Sequence, residues 1–289
     1  MLATVALIGV GLLLLGAAPV SADDDLEACL ARNLPTTDDV RIISATRRSA
    51  SGESTELRLR SLGRRRADEQ RVLVQFLAPE ELRDAELLIL DLEPGRRPVF
   101  WAYSPGLDSP RELKGPDVAD QLLGTDFGWE ELMLARGALG WEGATRLPDE
   151  TLDGRPVLVL ELRPPPEHSH YGRILARVDR ELCVALELDL FGHDGKPRRV
   201  LRVDPTSVEH IGTYRVAREL HIRDLDRKTE STVRIETVVS GLEIPDLLLD
   251  PKGLGHVRPD LDLDANGQPI RVRVQTLGDD DAVPGDKEP

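Results

Sequence analysis

Between Val40 and Val239 the apolar residues recur at every second position, and this period limits the fold more than any other feature. Leu57 and Leu59 alternate with Glu56, Arg58 and Arg60. Val72, Val74 and Phe76 share one face of the next run, and Ile174, Ala176 and Val178 oppose Arg173, Arg177 and Asp179. In Val157 to Leu162 both faces are apolar, as in a strand covered on two sides. Turn signals separate the runs: Ser51-Gly52, Pro94-Gly95 and Asp194-Gly195. Short links make neighbours antiparallel, and roughly ten such strands in one sheet tend to curl. Aromatics are only 3% of the chain, so branched aliphatics must build the core, which suits a sheet. The expected class is mainly β with a few short helices, a curved antiparallel sheet around one interior.

One stretch breaks the alternation, Leu123-Gly124-Thr125-Asp126-Phe127-Gly128-Trp129-Glu130-Glu131-Leu132. Thr125 or Asp126 suits a helix N-cap, and Glu130 and Glu131 suit a first turn. Trp129 and Leu132, three apart, then share a face. A connector helix packed by its aromatics against the strands is the reading the residues give.

This stretch also resembles the Gly-Thr-Asp-Phe-x-x-Glu-(Glu/Asp)-Leu signature of outer-membrane lipoprotein-sorting proteins, the LolA-like family. The matching residues are Gly124, Thr125, Asp126, Phe127, Glu130, Glu131 and Leu132. Where the family has Ser-Tyr, this chain has Gly128-Trp129, which keeps an aromatic and loses a hydroxyl. Arg71 to Pro79, Trp101 to Leu107 and Tyr171 to Glu181 are similar to the same family in the same order. The resemblance implies an open half-barrel of LolA/LolB type with a helical lid, in a monomer. It also implies a non-enzymatic carrier that binds a lipid or lipidated protein and hands it between membranes. On that reading Trp101, Tyr103, Phe127 and Trp129 form the cavity rim, Val74 and Phe76 its wall, and Leu132 also lines the site. A second expectation is an adaptor docking an inner-membrane exporter of the resistance-nodulation-division type. A third is a hydrolase using the acidic cluster Asp126, Glu130 and Glu131.

Residues 1–22 read as a secretory signal, with an uncharged apolar run and Val20-Ser21-Ala22 before cleavage. Periplasmic export follows. Residues 23–255 form the expected domain, and 256–289 an acidic, partly disordered tail in which Ile270 to Val274 offers one edge strand. A net charge of −15 excludes a nucleic-acid backbone as partner. Cys29 and Cys183 can pair in an oxidising compartment; Leu26-Glu27-Ala28-Cys29 also reads as a distorted lipidation motif.

Other candidates favour ordinary structure. Arg64-Arg65-Arg66 reads as a solvated turn rather than an anion site. Asp262 to Gly267 has the first half of a calcium loop, with Arg273 where the bidentate Glu belongs. His168 and His170 lack a third metal ligand. No nucleophile, phosphate-loop or redox motif occurs, and neither a cofactor nor a metal is expected.

Overall fold

The computed structural model describes residues 29–30, 33–66, 69–91, 98–107, 109–114, 122–135, 144–166 and 169–277. The signal segment, His168 and the last residues of the acidic tail lie outside them.

Two antiparallel meanders make one sheet. The first is β1 (Asp39–Arg48), β2 (Ser54–Arg66), β3 (Glu69–Ala78), β4 (Glu86–Asp91), β5 (Val99–Tyr103) and β6 (Arg111–Leu113). The second is β7 (Thr145–Leu152), β8 (Arg155–Leu162), β9 (Arg173–Asp179), β10 (Ala185–Phe191) and β11 (Pro197–Val203), then β14 (Glu219–Asp224) and β15 (Thr229–Ser240). A hairpin of β12 (Val208–Ile211) and β13 (Tyr214–Ala217) interrupts it. Pairing of β1 with β15 joins the meanders into a thirteen-stranded sheet whose edges are β6 and β7. The edges do not pair, so the curved sheet stays an open half-barrel, as expected.

The chain crosses from one edge to the other through the segment that carries α1 (Trp129–Ala135). This helix is a wedge between the halves. Trp129 and Met133 pack on residues of β1 to β5, whereas Phe127 and Leu134 pack on β8 to β11 and β14.

The other face of the first meander is also covered. Val40, Leu62, Leu73 and Leu88 meet Ile244, Leu248 and Leu254 from the segment after β15. A final hairpin, β16 (Val257–Leu263) and β17 (Pro269–Thr276), adds Val257 and Val272. The stretch expected as an acidic tail therefore opens with a packed hairpin, because its alternate residues complete a core.

Several local expectations change. Residues 64–66 belong to β2 and do not form a turn. Arg64 and Arg66 both pair with buried Asp38, a partner distant in sequence. The apolar alternation from Tyr214 to Ile222 is split between β13 and β14. Edge strand β7 contains Pro148, which a register shift between Leu147 and Glu150 accommodates. Asp264 accepts the N–H groups of Asn266 and Gln268, each at 2.8 Å, so the calcium-like loop is a polar hairpin turn.

Candidate functional site: a mostly apolar cavity under the helix

A cavity of about 140 Å³ lies beneath α1. Its floor is the sheet, with Ile43 and Ala45 of β1, Leu59 of β2, and Val72 and Val74 of β3. These are alternate residues of their strands, so period two places them on one face. The roof is Phe127, Trp129, Leu132 and Met133. Leu30, Pro35 and Cys183 close one side, where Cys29 is bonded to Cys183 with Cα atoms 5.4 Å apart. Asn33 reinforces this closure by donating to the carbonyl of Cys183 at 2.6 Å.

Two buried polar anchors hold the roof. Leu123 and Gly124 have φ of +57° and +70°, a turn that Gly124 makes without steric cost. Thr125 then donates to the carbonyl of Leu122 and accepts the N–H of Phe127. Asp126, fully buried, accepts from Thr229 Oγ1 at 2.6 Å and Ser231 Oγ at 2.8 Å, and pairs with Arg47. It thus ties the roof to β15 and β1. The expected capping role of Thr125 or Asp126 is not what these side chains do. Glu131 instead reaches back to the N–H of Gly128 at 2.8 Å, the return half of a capping box.

Glu131 is also the second anchor. It accepts from Arg199 Nη1 at 2.7 Å and from the hydroxyl of Tyr171, fastening α1 to β11. Burial and the Glu131 charge push the Tyr171 phenol well above its usual range. Its neighbour Glu130 accepts from the Ser169 hydroxyl and, at 3.2 Å, from the N–H of His170. Burial pushes the Glu130 carboxyl up to about 7, against the bond from Ser169 and with the Glu131 charge assisting. These carboxylates point to different partners and neither lines the cavity. His170 is not grouped with other ligands, and no cluster of metal-binding side chains occurs among the described residues.

The site residues expected from the sequence divide. Val74, Phe127, Trp129 and Leu132 meet at the cavity. Phe76 packs in the same cluster without reaching the cavity wall. Trp101 and Tyr103 are a correction. They pack on the opposite face with Leu248 and Leu254, while Phe100 and Ala102 of the same strand face the cavity-side cluster. Tyr103 lies directly against Gly255, leaving no room for a Cβ there. Trp129 is 7% exposed and belongs to the roof, not to an open rim. Sequence reasoning missed Arg41 and Ser61, which also line the cavity. A polar residue in an alternating strand reads as an outward one.

A half-barrel roofed by a short helix over an apolar cavity defines the LolA-like class of fold. Three solved structures agree. An outer membrane lipoprotein-sorting protein domain from Vibrio parahaemolyticus matches with a TM-score of 0.67 at 18% identity, covering 76% of this chain and 93% of that one. A DUF1329 family protein from Desulfovibrio piger matches with a TM-score of 0.72 at 14% identity, covering 82% and 100%. A LolA superfamily protein from Nitrosomonas europaea matches with a TM-score of 0.59 at 16% identity, covering 80% and 98%. The resemblance read from the Gly-Thr-Asp-Phe stretch is thus borne out in the fold. The profile of a family described as "-like: Uncharacterized protein" matches residues 68–255, more than half of the chain, and the chain belongs to that family. No curated protein matches it.

Proposed function

We propose that the protein is a periplasmic carrier that takes an acyl chain of a lipid or lipidated protein into this cavity and passes it between membranes. The observation that carries the reading is the cavity itself, walled by aliphatic side chains and roofed by a helix that belongs to neither half of the sheet. Each methylene moved there from water contributes about 0.8 kcal/mol. A void of roughly 150 Å³ holds one benzene-sized molecule, so the observed space of about 140 Å³ is too small for a full acyl chain. Loading a full chain requires α1 to lift, and the roof has its own polar anchors about which to do so. Export is supported by the apolar segment 5–18 and by the Cys29–Cys183 bond, which suits an oxidising compartment.

The test is native mass spectrometry of the mature protein, purified without detergent and then incubated with phospholipid vesicles or a triacylated peptide. A mass increment that solvent extraction identifies as an acyl lipid supports the reading. A protein that stays empty under all three conditions overturns it.

A further inference from the structure

The cavity is not uniformly apolar. Arg41 of β1 and Ser61 of β2 are direct cross-strand partners, and both side chains line it. They are 3% and 6% exposed. Two of the five N–H donors of Arg41 are fixed by Asp39, with Nε bonding Oδ1 at 3.1 Å. Gly63 sits opposite Asp39, and a Cβ there would stand only 3.1 Å from Oδ1, so glycine leaves room for the carboxylate to fold onto the guanidinium. Tyr214 Oη closes over the pair, 3.4 Å from Asp39 Oδ2. The charge of Arg41 is therefore matched inside the protein. Ser61 differs: its hydroxyl has no hydrogen-bond partner among the described residues, although it is buried. An unpaired buried hydroxyl is costly and calls for a partner.

We infer that the cavity carries a recognition point for an uncharged acyl carbonyl, the ester or amide of an acylated lipid. Its oxygen accepts from Ser61 Oγ beside the neutral Asp39–Arg41 pair, while the chain runs towards Trp129 and Met133. This deepens the carrier reading and rests on it. A free carboxylate fits less well. Its charge would enter an apolar site whose buried guanidinium is already neutralised. Arg215, the other cation on the wall, is half-exposed, and its bonds go to His210 Nε2 and the carbonyl of Leu182.

The experiment compares binding of a long-chain methyl ester, the alkane of matching length and the free carboxylate. The variants are wild type, Ser61→Ala, Ser61→Thr and Ser61→Val. Threonine and valine share a shape and differ in the hydroxyl. Wild type and Ser61→Thr should favour ester over alkane by about fivefold or more, the worth of one net hydrogen bond. Ser61→Ala and Ser61→Val should lose that preference while keeping alkane affinity. An ester preference that survives Ser61→Ala overturns the proposal, as does a wild type that binds the carboxylate best. In both cases the carrier reading stands. Failure of every probe to bind wild type overturns the carrier reading and the proposal together.

Discussion

Ser231 and Asp126 bind each other twice. The serine hydroxyl donates to Asp126 Oδ2 at 2.8 Å and accepts the backbone N–H of Asp126 at 2.9 Å. This reciprocal bond fixes the start of the roof to β15, the strand that joins the two halves of the sheet. The Asp of the Gly-Thr-Asp-Phe stretch therefore fastens the roof to the sheet.

Replacing Asp126 with Ala leaves the hydroxyls of Thr229 and Ser231 and the guanidinium of Arg47 without their shared acceptor. Breaking such a buried charged network costs about 3–5 kcal/mol. Urea denaturation should show that loss, and hydrogen exchange should rise in residues 122–135 before the rest of the sheet. Uniform acceleration across all strands would refute a local role.

Ala45 is 4% exposed on the cavity floor. Ala45→Leu should be accepted with a change within about 1.5 kcal/mol, since it fills a void instead of overpacking a core. It should also reduce acyl-chain uptake at least tenfold. A loss of more than about 3 kcal/mol would mean that the interior is solid at that point.

Glu130 makes stability pH-dependent. Its folded-state value of about 7 is raised above that of an exposed carboxyl, chiefly by burial. The protonated form is favoured by folding, so this contribution is complete below about pH 4.3 and is lost as pH rises through 7. The groups facing it are Glu131 and Arg199, with Ser169 and the N–H of His170. Glu130→Gln keeps an acceptor for Ser169 and removes the titration. The difference in unfolding free energy between variant and wild type should move in favour of the variant from pH 5 to pH 7.5. A difference that does not vary with pH would contradict the assignment.

The Cys29–Cys183 bond closes a loop of 154 residues in sequence separation and holds one wall of the cavity. Reduction, or Cys29→Ser, should cost about 2–4 kcal/mol of stability. It should also speed exchange of a bound acyl probe. An unchanged exchange rate would show that the N-terminal segment is no part of the closure.

The alternation placed most of the sheet because period two survives wherever one face is buried. It could not say which face is concave. In β5 both faces are covered, so Trp101 and Tyr103 read as well as Phe100 and Ala102, and only the segment carrying Leu248 and Leu254 decides between them. The arginines at 64–66 read as a turn because their partner Asp38 is far off in sequence. Phe127, Trp129 and Leu132 were legible because an aromatic stretch between two runs of strands must be buried somewhere. Arg41 and Ser61 were not, since only tertiary pairing shows a polar strand residue to face inward.

The most direct test uses Trp129, which forms part of the roof, in a protein whose other tryptophans are replaced by Phe (Trp101→Phe, Trp141→Phe). Its fluorescence is followed while an acyl ester brominated along the chain is added; bromine quenches only at contact. Saturable quenching is expected, which the unbrominated ester competes away and Ala45→Leu abolishes. Fluorescence unchanged by the brominated chain, at concentrations where the ester demonstrably binds, would place the ligand outside this cavity and contradict the account.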